Sequence, residues 1–176
     1  MNQDALKKAF NDCKRLDTSK CQFRTSYHEI SNKKFFVIDE NNDEPVRILE
    51  HKGNAQLTVL NKGGKEICLV KTDKCLFTDA HKKCDCILFS NDKIYLVEIK
   101  SGRKRGAARK TAEVQLADTI SILKNKNLLP ETHKTTAIIC LKGGKTKPTQ
   151  TASNTKRALF FQEHQIILDE SEQIYF

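Results

Sequence analysis

No stretch of this 176-residue chain approaches the roughly 18 consecutive apolar residues that a membrane-spanning helix requires, so a helical membrane protein is excluded and a soluble one expected. The first residues lack the apolar segment that secretion uses. Disulfide stapling also lacks support, because the seven cysteines are odd in number and the chain is long enough to bury a core unaided. A reducing, cytoplasmic setting is expected. Repeats and a disordered tail are both missing, and residues 1–176 are expected to form one domain. Acid is in short supply. Against 31 Lys and Arg stand 22 Asp and Glu, a formal net charge of +9, with a sequence pI near 9.2. A surplus of that size points to a polyanionic partner.

What the chain does have is a pair of apolar runs that carry charges. Cys84-Asp85-Cys86-Ile87-Leu88-Phe89 and Lys93-Ile94-Tyr95-Leu96-Val97-Glu98-Ile99-Lys100 flank Asn91-Asp92. Charges inside such strands are costly unless something pairs with them. Asn-Asp between two apolar runs predicts a two-residue hairpin turn, which sets the register: Ser90 with Lys93, Phe89 with Ile94, Cys86 with Val97, and hence Asp85 opposite Glu98. Directly opposed residues have Cβ atoms about 5 Å apart, so two anions there repel and a divalent cation relieves the conflict. Lys100, two residues beyond Glu98, projects from the same face. The ordinary alternative is a half-exposed strand, with Glu98 and Lys100 facing solvent and paired across to Lys83. Against it stand Ile94 and Leu96, apolar residues on the face that bears the acids.

An acid on one strand followed by Glu98-Ile99-Lys100 on the next resembles the signature of the PD-(D/E)XK nuclease superfamily. Gln115, in Ala112-Glu113-Val114-Gln115-Leu116, matches the glutamine that RecB-type members carry on the following helix. The chain departs from the pattern at Cys84, where a proline would precede the acid, and at Thr119, where RecB-type proteins continue to tyrosine. The resemblance spans roughly residues 77–141. It implies a mixed α/β (α+β) fold with a restriction-endonuclease-like αβββαβ core at about 66–143, a mixed central sheet flanked by helices. It further implies hydrolysis of phosphodiester bonds in nucleic acid, most readily DNA. In that mechanism Asp85, Glu98 and the Ile99 carbonyl hold Mg²⁺, for which Mn²⁺ substitutes, while Lys100 and Gln115 complete the catalytic set. Many relatives add a glutamate from the first helix, yet residues 2–16 contain none; Glu29, Glu50 and Glu66 are the substitutes available. Relatives also pair subunits to cut two strands, so a homodimer or larger complex is a further expected partner.

Residues 100–110 carry six bases and no acid. Arg103, Lys104, Arg105, Arg109 and Lys110 are therefore expected to contact phosphates, giving affinity that is salt-dependent and independent of base sequence. Two other functional classes compete with catalysis. One is a catalytically silent subunit of a defence or repair complex that grips nucleic acid. The other is a structural zinc drawn from Cys75, His81, Cys84, Cys86, His133 and Cys140, although a regular strand would place Cys84 and Cys86 together on the face opposite Asp85. A Cys/His nucleophile lacks a Gly-rich oxyanion loop.

Around the motif, helical spacing predicts a first helix from Asp4 to about Leu16, capped by Asn2 or Asp4, and a second over Ala107–Lys126 with Val114, Leu116, Ala117, Ile120 and Leu123 on its apolar face. Phe35–Asp39, Val46–His51, Gln56–Leu60 and Glu66–Lys71 read as a β-meander that leads into the motif hairpin. Thr135–Leu141 is expected to run parallel to the Glu98 strand through a right-handed crossover. Ser153 or Asn154 is expected to cap a helix to about His164, and Gln165–Asp169 with Gln173–Phe176 to close as a hairpin.

Overall fold

A computed structural model describes residues 3–10, 26–40, 44–73, 81–101, 105–129, 134–142 and 150–176. The larger sheet takes β1 (Tyr27–Ile30), β5 (Ile67–Lys71), β6 (Cys86–Phe89), β7 (Lys93–Ser101), β8 (Lys134–Lys142) and β9 (Ile167–Glu170), in the spatial order β1-β5-β6-β7-β8-β9. Its first four strands pair antiparallel, while β7, β8 and β9 run parallel. The smaller sheet has the order β10-β4-β2-β3, from β2 (Lys34–Ile38), β3 (Arg47–Leu49), β4 (Leu57–Leu60) and β10 (Gln173–Tyr175). Both sheets are mixed, and with three helices among the described residues the fold belongs to the mixed α/β, α+β class. No described helix is long and apolar enough to cross a membrane.

The larger sheet is covered on both faces, which explains why its strands are apolar on both sides. On one face Val70, Ile87, Phe89, Ile94, Leu96 and Ile139 meet α1 (Gln3–Phe10), α2 (Arg105–Asn125) and α3 (Gln150–His164). On the other, Leu69, Leu88, Val97, Ile99 and Ile138 meet Phe35, Val37, Leu57 and Val59 of the smaller sheet. Each fully buried aliphatic or aromatic side chain contributes roughly 1.5–3 kcal/mol of transfer free energy. The hairpin strands at the centre of this sandwich are therefore among its best anchored.

The parallel pairing is as expected: α2 links β7 to β8, and the two strands run parallel from Lys93↔Lys134 to Ser101↔Lys142. Helix α2 stops where Asn127 takes a left-handed φ of 55°. There Leu128 N–H bonds to Leu123 O at 2.8 Å, and Asn127 N–H to Lys124 O at 2.9 Å. This pair of bonds satisfies carbonyls that a helix end leaves open.

Four sequence expectations change. The meander is divided: β2, β3 and β4 form the smaller sheet, with β2 between the others, and only β5 continues into the hairpin. Alternating apolar strands specify a buried face but not the sheet that supplies it. The C-terminal hairpin does not form. Ser171 Oγ accepts Gln173 N–H at 3.0 Å and redirects the chain, so β9 joins β8 while β10 crosses to pair parallel with β4. Helix α3 begins at Gln150, so neither Ser153 nor Asn154 caps it. Val114 is 37% exposed, and the buried stripe of α2 is Ala112, Leu116, Ile120 and Leu123. Residues 11–16 of the expected first helix lie outside the described residues.

Candidate active site

At its turn the hairpin follows the expected register. Ser90 N–H bonds to Lys93 O at 2.9 Å, and Phe89↔Ile94 through Cys86↔Val97 pair in order. Asp92 accepts the Ser90 hydroxyl at 2.9 Å, which favours the tight turn.

At the open end the ladder breaks at the acid. Asp85 N–H bonds to Val97 O at 3.0 Å, although Val97 is already the partner of Cys86. Two residues thus oppose one, a β-bulge. The Asp85 carboxylate takes the place of the next ladder acceptor: its Oδ2 receives the Ile99 N–H at 2.6 Å. Asp85 is consequently fixed to the backbone of the Glu98 strand, one step displaced from the simple face-to-face pairing that an unbroken register would give. Ile99 C=O leaves the same strand edge as its N–H, toward the space the ladder has vacated.

Glu98 is fully buried, and Lys100 ion-pairs with its Oε1. Its Oε2 is enclosed with no hydrogen-bond partner among the described residues. Burial drives the Glu98 carboxyl well above the ordinary range, and the neighbouring Asp85 pushes it further. Asp85 is raised by burial to about 7, against the pull of the Ile99 N–H and Lys100. Burial opposes the Lys100 charge, but contact with Glu98 outweighs it and the pKa rises. Lys100 therefore remains an ammonium.

Two more acids add to the local negative field, Asp39 and Asp73, each of which raises Asp85. Asp39 follows β2 in the smaller sheet and is placed by Gln56. The Gln56 side chain accepts Asp39 N–H at 3.0 Å, donates to Asp39 O at 2.7 Å, and reaches Ser101 Oγ, one residue past Lys100, at 3.3 Å. Nothing in the local pattern around Asp39 signals this, because the approach is made between sheets. The acids considered in its place lie elsewhere. Glu29 and Glu66 both pair with Lys7. They cluster with Cys68, which the register puts opposite Phe89, four residues and about 13 Å along β6 from Asp85. Glu50 is exposed just beyond β3, whose Leu49 pairs with Phe36, away from the Asp39 end of β2.

Gln115 and Thr119, one turn apart on α2, hold the segment that enters β6. Gln115 Nε2 donates to Lys83 O at 2.9 Å, Cys84 N–H donates to Thr119 Oγ1 at 2.8 Å, and the Thr119 hydroxyl donates to Gln115 O at 2.8 Å. Thr119, which first read as a departure from a motif, thus supplies the acceptor for a buried amide. The basic segment is distributed rather than continuous. Arg109 turns toward β9 and binds Glu170 Oε2 through two nitrogens at 2.6 and 2.8 Å, whereas Lys110 lines a cavity beside Gln115. Arg105 is the first residue of α2; Arg103 and Lys104 lie outside the described residues.

Cys84 and Cys86 do not share a face, contrary to the regular-strand expectation. The bulge puts Cys84 in the core beneath the helices and Cys86 in the core between the sheets. Burial pushes the Cys84 thiol up to about 12, so it stays protonated. Cys75 and His133 lie outside the described residues, and among the described ones the only group of three or more His, Cys, Asp or Glu side chains close enough to share an ion is Glu29, Glu66 and Cys68, already joined by Lys7. Asp85 and Glu98 fit a hard divalent cation such as Mg²⁺ or Mn²⁺ instead. They offer carboxylate oxygens, one of them buried and unpartnered, beside a backbone carbonyl at a broken ladder. No protein-family model matches this chain, and no curated protein and no solved structure matches it either.

Proposed function

We propose that this chain is a metal-dependent nuclease that hydrolyses phosphodiester bonds, with DNA the favoured substrate. One observation carries the proposal: a fully buried glutamate with an unpartnered oxygen stands beside a bulge-held aspartate and on the same strand as a lysine. Burying two carboxylates together is costly and serves no packing purpose, whereas it suits a site that takes up a cation. The element order α1, β5, β6, β7, α2, β8 supports the PD-(D/E)XK resemblance, since it follows αβββαβ with β1–β4 placed after α1.

Asp85, Glu98 and the Ile99 carbonyl would hold Mg²⁺ or Mn²⁺, which when bound supplies Lewis-acid polarisation of the phosphate and a more acidic water. Lys100, kept protonated by Glu98, acts as a hydrogen-bond donor and not as a base. It orients the attacking water and stabilises the extra negative charge that develops on the phosphoryl oxygens. Gln115 and Thr119 are positioning residues that hold Lys83 and Cys84, and so fix where Asp85 emerges from the bulge. Arg109 acts in our account as a tie between α2 and β9, and phosphate contact passes to Lys110 and its neighbours.

The test is incubation of the protein and its Lys100→Ala variant with linear, circular, single-stranded and branched DNA and with RNA, in Mg²⁺, Mn²⁺ or EDTA. Cleavage that requires both the metal and Lys100 is expected. Salt-sensitive binding with every substrate intact in Mn²⁺ would overturn the nuclease assignment in favour of a silent binding subunit.

A further inference from the structure

Against the segment that leads into Asp85 lies a cavity of about 500 Å³. Its size falls within the roughly 300–1,000 Å³ typical of sites that enclose small organic ligands. One wall is the side of α2 with Lys110, Val114 and Gln115; the other is the segment His81, Lys82 and Lys83 that leads into β6, joined by Asp73, whose carboxylate is ion-paired to Lys83 at 3.3 Å. Lys83 is two residues from Asp85, so the backbone at the cavity wall lies within about 7 Å of that at Asp85. That interval is comparable with one nucleotide step of an extended strand.

The chemistry of the walls is divided in the same way as a nucleotide. Lys82 and Lys110 are exposed cations at the cavity, suited to a phosphate. Val114 is exposed, apart from the buried stripe of α2, and gives an aliphatic surface against which a base can lie. Next to it, the Gln115 carboxamide spends its Nε2 on Lys83 O, while its enclosed Oε1 has no donor among the described residues. Sites for unpaired bases combine an apolar wall with a few polar groups and a cationic track for the backbone. A base that remains paired and stacked in a duplex cannot enter a concavity between a helix and a strand.

We propose that this cavity seats one unpaired nucleotide next to the phosphodiester held at Asp85 and Glu98, so that the substrate is single-stranded or frayed nucleic acid. The proposal rests on the nuclease reading and names the substrate class of that site. It is tested in a Lys100→Ala background by fluorescence anisotropy with a labelled single-stranded DNA oligonucleotide and a blunt duplex of the same length, with Mn²⁺ affinity measured in parallel. The single strand is expected to bind at least tenfold more tightly than the duplex. Val114→Trp, which fills the cavity from an exposed position, is expected to weaken single-strand binding about tenfold and to leave duplex and Mn²⁺ binding unchanged. Lys110→Glu, also at an exposed position, is expected to weaken single-strand binding by a similar factor and to reduce the salt slope by about one. Equal affinity for the two substrates, or single-strand binding unaffected by both substitutions, overturns the cavity proposal while the nuclease reading stands. Failure to bind any strand or Mn²⁺ overturns both.

Discussion

Two clusters in this protein have the same composition, two carboxylates and a lysine, and lie toward opposite ends of one sheet. At the end near the hairpin turn, Glu29 and Glu66 pair with Lys7, and their side chains are 49% and 45% exposed. At the open end, Glu98 is fully buried with Lys100, and Asp85 is nearly so. Bonds from Tyr27 and Lys7 hold Glu29 below the usual carboxylate range, whereas burial drives Glu98 far above it. The first cluster is satisfied as it stands: its exposed carboxylates are bonded to Lys7 and, for Glu29, to the Tyr27 hydroxyl, and it fastens α1 to the sheet. The second retains an enclosed oxygen without a partner among the described residues, next to an aspartate bonded to backbone. Exposure, not residue type, separates an ordinary surface ion pair from a site with an unmet need for a cation.

The sharpest way to break this contrast is to remove each lysine. Lys100→Ala is expected to lower turnover by about 1,000-fold or more, comparable with the loss of a transition-state donor, with nucleic-acid affinity within about threefold. Lys7→Ala is expected to leave turnover unchanged. Single-turnover cleavage and anisotropy measure both.

The two clusters are also expected to respond to pH with opposite signs. Asp85 binds its proton more tightly in the folded state, about 7 against an ordinary 3.8, so without metal its contribution to stability is fully present below about pH 4 and is lost as pH rises through 7. The loss is on the order of 4 kcal/mol. Glu98 acts in the same direction. Glu29, held low, contributes stability above the ordinary carboxylate pKa that disappears as pH falls. Urea midpoints in EDTA across pH 4–8 should fall for the native chain and fall less steeply in Asp85→Asn, where Glu98 alone remains.

Divalent cation should restore that stability at one end only. At a concentration about 100-fold above Kd, Mn²⁺ should add about 2.7 kcal/mol, raising Tm by several degrees. Glu98→Gln should abolish the shift and Glu29→Gln should retain it, as read by thermal melts with and without EDTA.

Support for the buried cluster from α2 can be tested in turn. Thr119→Val removes the acceptor of a buried N–H and should cost about 2 kcal/mol, whereas Thr119→Ser should restore most of it. The smallest effect belongs to Asp39→Asn, expected to weaken Mn²⁺ binding about fivefold, roughly 1 kcal/mol, by removing a nearby charge.

Much of the buried cluster was legible because its signals are local. Asn91-Asp92 between apolar runs set the register as far as Cys86↔Val97, and two-residue alternation put Glu98 and Lys100 on one face. The α2 crossover followed from a helical stripe between two strands. What was not legible depends on long-range choices. A bulge leaves no mark in Cys84-Asp85-Cys86, so the anchoring of Asp85 by Ile99 and the separation of the two cysteines could not be read. Asp39 reaches the site through a second sheet, whose existence the alternating strands did not reveal. The apolar valine in the α2 pattern was assigned to the core because helical spacing is coarse, yet it stands at the cavity.

The most direct test of the buried cluster as the metal centre is calorimetric titration of Mn²⁺ into the metal-free protein and its Asp85→Asn, Glu98→Gln, Glu29→Gln and Glu66→Gln variants. We expect one Mn²⁺ per chain, lost in the first two variants and kept in the last two; binding that survives Glu98→Gln and disappears with Glu29→Gln or Glu66→Gln would contradict the account.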